Sequence, residues 1–246
     1  MLRKFYVPLF ALFLLFNLVS CDGKDEKTTT ETVSTDTATS MTSTEPVAAS
    51  TIVTAPQYML LAKHRVGNYA KWKASYDEHD SMRLANGLHN YVIGRSPSDS
   101  NMILVVLKGD DPAKAKAFAK DPSLKQAMQK GGVTGTPVIS HVTVVWQDTA
   151  TLSGPVRSMT TFTVKDWAAW EKSFQEGAQE RMDNGIVSRT YGHDVDNDKK
   201  VTLVTAITDS AKAEVYWKSD MLKKRRAAGG VIGQPDRFLF RVVQRY

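Results

Sequence analysis

From residue 57 onward, short apolar runs typical of strands alternate with stretches in which large residues recur at helical spacing. Runs 58–66 and 156–164 are predicted to be opening strands, and the patterns over 69–83 and 167–181 to be the helices that follow. A hairpin, a second helix and a last strand then complete each half. The pattern therefore predicts the order βαββαβ twice, which is the ferredoxin-like plan of an α+β protein.

The two halves align when the sequence is shifted by 98 residues. Trp72 then falls on Trp170, Asn86-Gly87 on Asn184-Gly185, and the turn Gly131–Pro137 on Gly229–Pro235. So many matches at one offset indicate an internal duplication. We expect a shift of one residue in the turn before Met102 and Val201.

A ferredoxin-like unit has helices on one face of its sheet, so the other face is left bare and has to be covered. We predict that the two sheets pack against each other as an intramolecular, pseudo-dimeric α+β barrel, which a monomer could close within one chain. The expected first repeat spans residues 56–148, the linker 149–154 and the second repeat 155–246.

The first part of the chain has a different composition. Arg3 and Lys4 precede an apolar run that leads to Leu18-Val19-Ser20-Cys21, which predicts a secretory signal over residues 1–20. The following residues, up to 55, are rich in Thr, Ser and acidic residues, so we expect a disordered tether. Of the formal net charge of +6, this tether carries −4 and the signal +2, which leaves +8 on residues 56–246.

The only cysteine excludes an intramolecular disulfide, a four-cysteine zinc site and a CxxC redox pair. The Leu-Val-Ser-Cys ending resembles the lipobox of bacterial lipoproteins. That resemblance implies removal of residues 1–20, a lipid on Cys21 and a membrane as partner; the alternatives are a plain signal peptide and an uncleaved anchor. Asp22 resembles an inner-membrane retention signal and Lys24-Asp25-Glu26 a surface-export signal. We expect the protein to be lipid-anchored in the bacterial cell envelope, at the outer membrane.

A second resemblance covers the folded part. The segment Leu61–Val66, Trp72, Asp77-Glu78-His79, Arg83 and the turn Gly131–Pro137 resembles the small cyclase-like and antibiotic-biosynthesis-monooxygenase-like members of the dimeric α+β barrel superfamily. The resemblance implies the fold. It does not fix the chemistry, because the superfamily includes monooxygenases, polyketide cyclases and haem enzymes. In several monooxygenase-like relatives the substrate pocket lies between the sheet and the helices.

The two halves differ in their histidine content. Four of the five histidines lie in the first half, and each is aligned with an apolar residue or glycine of the second. His64 falls on Phe162 and His79 on Gly177, so we expect the second half to be a poor copy of the site. His64 lies on the predicted helix-facing side of the first strand, and His79 and Arg83 on the helix stripe opposite.

These placements predict a cleft in the first repeat. His64 and His79 are its candidate catalytic acid and base, and could equally be hydrogen-bond donors, metal ligands, or buried histidines satisfied by backbone carbonyls. The candidate ligand-binding residues are Trp72, Tyr76, Arg83 and His141. We expect no metal, because spacing fixes no third zinc ligand. We also expect no cofactor; haem held by His64 or His141 is the alternative, but haem-binding relatives place their ligands elsewhere.

Three functions follow. The first is an envelope lipoprotein that binds a small, largely apolar molecule in the first-repeat cleft. The second is an enzyme, a cofactor-independent monooxygenase or cyclase-like catalyst. The third is a structural lipoprotein without a ligand. The basic run Lys223–Arg226 is interpreted as a solvated helix end, and no nucleic-acid partner is expected.

Overall fold

The computed structural model describes residues 50–152 and 156–246, so the predicted signal, Cys21 and most of the predicted tether lie outside the described residues. Strand β1 (Ile52–Val53) falls within the segment predicted to be tether. It pairs with Gln147 and Asp148 at the end of the first repeat. Ordered structure therefore begins before residue 56.

Each repeat contains the predicted strands, but each predicted helix is divided into two shorter helices by a turn. The elements of the first repeat are β2 (Gln57–Val66), α1 (Tyr69–Glu78), α2 (Asp80–Ala85), β3 (Leu88–Arg95), β4 (Met102–Gly109), α3 (Pro112–Ala119), α4 (Pro122–Lys130) and β5 (Val133–Asp148). Those of the second are β6 (Val156–Val164), α5 (Trp167–Glu176), α6 (Ala178–Asp183), β7 (Ile186–Asp194), β8 (Lys200–Ile207), α7 (Ser210–Lys218), α8 (Asp220–Ala228) and β9 (Val231–Arg245).

The first helix of each repeat begins at a side-chain cap. The Asn68 side chain accepts a hydrogen bond from the Lys71 backbone N–H at 3.0 Å, and that of Asp166 accepts one from the Ala169 N–H at 2.8 Å. A side-chain acceptor at this position satisfies one of the backbone donors that the first helical turn leaves free.

The offset between the repeats stays constant through the hairpins. Ile103 lies opposite His64, and Val201 lies opposite Phe162. Since these pairs are equivalent at the original offset, the expected one-residue shift before Met102 is wrong. The two hairpin tips differ in sequence and contain no insertion.

The strands form one antiparallel sheet in the order β1-β5-β2-β4-β3-β9-β6-β8-β7, and a further pairing of β5 with β7 closes it. The repeats are joined by backbone pairing along two seams, β3 with β9 and β5 with β7. The predicted intramolecular α+β barrel is thereby confirmed, with its two sheets also paired edge to edge.

Apolar side chains fill three compartments. The barrel interior contains residues of both repeats: Met59, Leu61, Leu104, Val142, Val144, Met159 and Phe240. The other two compartments lie between sheet and helices, one in each repeat. Within the described ranges, no helix is long and apolar enough to cross a membrane.

Candidate functional site

A partly open cleft with about 690 Å³ of space, part of it open solvent, lies between the sheet and the helices of the first repeat, and we call it the first cleft. Its wall is almost entirely apolar. Five of the residues predicted from the sequence line it: His64, Trp72, Tyr76, His79 and Arg83. Two features of the sequence predicted this grouping. One is the helical spacing from Trp72 to Arg83, and the other is the position of His64 on the helix-facing side of β2.

His64 is the polar group buried deepest in the first cleft. Only 4% of the residue is exposed, and neither ring nitrogen has a hydrogen-bond partner among the described residues. Burial lowers the pKa of the His64 imidazole to about 4, and a smaller effect of the Ala62 carbonyl, which lies outside hydrogen-bonding geometry, opposes it. At neutral pH the ring is therefore uncharged, with one nitrogen that can donate and one that can accept.

Aromatic rings hold the imidazole in position. The ring centroids of His64 and Trp72 are 5.6 Å apart, and Tyr76 stacks on Trp72 at 5.0 Å. In the second repeat, Phe162 packs on Trp170 with the same geometry, at 5.5 Å. The fold thus accepts a plain apolar ring where the first repeat has an imidazole.

His79 lines the same cleft and is half-buried. It stands at the break between α1 and α2, where its Nδ1 lies 2.6 Å from the Ser75 carbonyl oxygen and donates to it. The carbonyl satisfies one ring nitrogen, as the structural interpretation of this histidine expects. The Nε2 atom is left for a ligand.

Arg83 is held by its own helix pair. Its guanidinium lies 3.7 Å from the centre of the Tyr76 ring and donates to the Tyr76 carbonyl at 2.8 Å and to Asp80 at 3.0 Å. Arg181 repeats the arrangement in the other half, donating to the Phe174 carbonyl at 2.6 Å. A contact present in both halves belongs to the packing of the fold. Arg83 therefore lines the cleft with a guanidinium that already donates hydrogen bonds within its own helix pair.

His141 is not among the residues that line the first cleft. Its Nδ1 lies 2.6 Å from the Tyr58 hydroxyl, and the two form a hydrogen bond. Burial is the largest cause of a lowered pKa of this imidazole, followed by the charge of Lys116. His141, a predicted ligand-binding residue, therefore does not line the first cleft, and its ring is hydrogen-bonded to Tyr58.

A second cleft, not predicted from the sequence, lies between the sheet and the helices of the second repeat. It has about 700 Å³ of space, part of it open solvent, and we call it the second cleft. Four arginines line it: Arg181, Arg225, Arg226 and Arg237. Histidine is absent from the lining of the second cleft, yet that cleft encloses a similar amount of space and has a more polar wall.

The space above Gly177 explains the difference. A Cβ atom there would lie 3.1 Å from Nε of Arg225, so the arginine occupies the place where the first repeat has the side chain of His79. Three positions of the internal alignment carry the signal that could have revealed the basic wall. They are Ala127 with Arg225, Met128 with Arg226, and Ile139 with Arg237.

Among the described residues, no group of three or more His, Cys, Asp or Glu side chains could hold a metal ion. The only cysteine, Cys21, lies outside those residues.

No family model matches the chain, and no curated protein matches it. Solved structures do resemble it. Two are described as "putative monooxygenase". The one from Lactobacillus acidophilus NCFM has 10% identity and a TM-score of 0.50, and the match covers 76% of this chain and 94% of that one. The one from Fusobacterium nucleatum subsp. nucleatum ATCC 25586 has 12% identity and a TM-score of 0.51, and the match covers 78% of this chain and 94% of that one. A third, described as an anthrone oxidase-like protein, has 14% identity, a TM-score of 0.54 and coverage of 78% and 94%.

At these identities the likeness shows the fold alone. The class that the fold defines is the dimeric α+β barrel, here built from two ferredoxin-like repeats of one chain.

Proposed function

We propose that this protein is a membrane-anchored envelope lipoprotein whose first cleft binds a small, largely apolar molecule that carries one polar group. The proposal rests on the imidazole of His64, which is buried and has no hydrogen-bond partner among the described residues. An apolar cavity favours an apolar ligand, and a buried imidazole without a partner is unfavourable unless a ligand or a water completes its hydrogen bonds.

The electrostatics of His64 support binding more than proton transfer. A general base works best when its pKa lies near the working pH. The pKa of His64, lowered to about 4 by burial, is well below that range. Its imidazole is thus suited to donate or accept one hydrogen bond and to select a ligand by that bond.

The anchor is a proposal that rests on the Leu-Val-Ser-Cys ending and the tether that follows it. Several acyl chains on one cysteine would give a stable anchor, since each buried methylene contributes about 0.8 kcal/mol. Labelling with radioactive palmitate should mark the wild-type chain and leave a Cys21→Ser variant unmarked. Equal labelling of both would place any lipid elsewhere.

The ligand proposal is tested with a matched pair of probes, 2-naphthol and naphthalene, which differ by one hydroxyl group. Calorimetric titration of the full chain in lipid nanodiscs, with empty nanodiscs as the blank, should show that 2-naphthol binds roughly 3- to 10-fold more tightly. A His64→Phe variant should bind both probes equally, because Phe162 shows that the fold accepts a phenyl ring there.

The outcomes separate the alternatives. A preference for 2-naphthol that persists in His64→Phe would remove His64 from the proposal. Binding of neither probe by the wild type would favour a structural lipoprotein without a ligand.

A cofactor-independent oxygenase is the second candidate, and the fold shared with proteins described as monooxygenases and as anthrone oxidase-like favours it. Such an enzyme would convert a planar, enolisable substrate with O₂; for anthrone the products would be anthraquinone and water. Oxygen uptake that requires both anthrone and His64 would establish this activity. Tight binding of anthrone without oxygen uptake would leave the protein a binder.

A further inference from the structure

A third cavity, with about 700 Å³ of space that includes open solvent, lies inside the barrel and shares no lining residue with either cleft. Most of its wall is apolar and comes from both repeats, with Met59, Leu104, Val144 and Phe240 among the residues that line it. Toward one end of the barrel the wall becomes basic, and Arg157 of β6, Arg189 of β7 and Arg245 of β9 line the cavity there.

These arginines are not required by the fold. At the equivalent positions the first repeat has Met59 for Arg157, Tyr91 for Arg189 and Gln147 for Arg245. The Met59 and Tyr91 side chains line the same cavity, so each position has an uncharged occupant in one repeat and a guanidinium in the other. The basic end is therefore a feature that the second repeat adds to the barrel.

The charges in this cavity do not balance. Arg189 is 3% exposed and forms an ion pair with Asp148, with Nη1 2.5 Å from Oδ2. Arg157 is 6% exposed, and no ion pair of its guanidinium is found among the described residues. Burial, followed by the charges of Arg189 and Arg245, lowers the pKa of Arg157 to about 10. The charge of Asp148 opposes this shift only in part, and a buried cation without a direct ion-pair partner is unfavourable.

Two further polar atoms nearby are buried and have no partner in the described part of the chain: Nε of Arg189 and Oε1 of Gln147. The Gln147 amide uses its Nε2 to donate to the Tyr91 hydroxyl at 2.7 Å, which leaves its oxygen free. Both residues line the cavity, so one donor and one acceptor without partners lie in its otherwise largely apolar wall.

We propose that the barrel interior binds a small aliphatic carboxylate, with its carboxylate paired to Arg157 and its hydrocarbon chain against the apolar wall. Arg157 supplies the planar donor fork that suits a carboxylate. Arg245, which is exposed and also lines the cavity, attracts the anion. The apolar wall selects an organic acid over an inorganic anion.

The test uses hexanoate, with 1-hexanol as its uncharged match and chloride as an inorganic anion, and measures binding to the full chain in nanodiscs by calorimetry and by the shift in melting temperature. Hexanoate should bind to the wild type and raise its melting temperature, whereas 1-hexanol and chloride should give no comparable shift. In Arg157→Met the affinity for hexanoate should fall at least tenfold and the thermal shift should disappear.

Two variants keep the test specific. Lys224→Met removes a charge from an exposed position outside the cavity and should bind hexanoate like the wild type. Arg157→Lys keeps a charge at the site and should retain measurable binding. Because the first repeat already has Met59 at this position, Arg157→Met should fold and melt at or above the wild-type temperature without ligand.

Unchanged hexanoate affinity in Arg157→Met would overturn the proposal, as would the absence of hexanoate binding to the wild type. An equal shift with chloride or with 1-hexanol would overturn the assignment of an aliphatic carboxylate.

Discussion

The two clefts are built on the same backbone and differ in their walls. In the first cleft the sheet presents Leu60, Ala62 and Leu107, and the second cleft has Ser158, Thr160 and Thr205 at the equivalent positions. On the helix side, alanine and methionine of the first repeat are replaced by arginines in the second. The two repeats thus contain one largely apolar cleft with two imidazoles, His64 and His79, and one cleft rich in hydroxyl and guanidinium groups.

What the two repeats share is the packing between helix and sheet. Each has a buried tryptophan, Trp72 or Trp170, on its first helix. Each has an arginine stacked on an aromatic ring of that helix, with the guanidinium carbon 3.7 Å from the ring centre for Arg83 and 3.6 Å for Arg181. Shared side chains therefore maintain the fold, and the positions where the repeats differ are the places to look for function.

The largest predicted effect tests the shared part. Trp72→Ala and Trp170→Ala should each lower the free energy of unfolding by about 3 to 5 kcal/mol, because each leaves a large cavity in a packed core. Urea denaturation of both variants measures the cost. Replacement by phenylalanine, which keeps a ring, should cost less at both positions. A near-neutral Trp170→Ala would mean that the second repeat is not packed like the first.

A smaller effect should appear on acidification. The pKa of His64 is about 4 in the folded chain, against 6.5 ordinarily. Between these values the unfolded chain binds a proton that the folded chain does not, so stability is complete above about pH 6.5 and falls as the pH drops toward 4. The loss should reach roughly 3 kcal/mol.

The matched control for this prediction is His64→Phe, which keeps the ring and removes the titrating group. His141 titrates in both proteins, so its contribution cancels in the difference between their denaturation curves. If the two stability profiles run parallel between pH 4 and 6.5, His64 does not titrate as the structure requires.

An exchange of the two residues that face the tryptophans should have the smallest effect. At neutral pH His64→Phe should stabilise the chain by about 1 to 2 kcal/mol, because it removes two buried nitrogens without partners. Phe162→His should destabilise it by a similar or smaller amount, since Phe162 is only partly buried. Thermal melts of the single and double variants measure both changes. Destabilisation by His64→Phe would indicate that His64 makes a structural hydrogen bond.

Much of the fold could be predicted because it is encoded locally and repeated. Apolar periodicity and the glycines of the turns depend on neighbours in the sequence, and the same pattern recurs in the second half. The first cleft followed from the same information, since Trp72, His79 and Arg83 are placed by helical spacing alone. The division of each helix into two was not predicted: neither proline nor glycine marks the breaks at His79 and Ser219, although Gly177 and Pro122 stand at the other two.

The second cleft and the barrel interior could not be predicted in this way. Arg181, Arg225 and Arg237 come from different elements, and only the closed barrel and its helices determine which side chains share a cavity. The run Lys223–Arg226 was interpreted as one solvated face, yet Arg225 and Arg226 line the second cleft. The other two residues of the run, Lys223 and Lys224, are exposed as expected.

The central claim is that the first cleft binds an apolar molecule through one hydrogen bond to His64. The most direct measurement is a crystal structure with 6-bromo-2-naphthol, in which anomalous scattering locates the bromine. The account predicts bromine in the first cleft and the naphthol oxygen about 3 Å from a ring nitrogen of His64. Bromine only in the second cleft or the barrel interior, or a naphthol in the first cleft that makes no contact with His64, would contradict it.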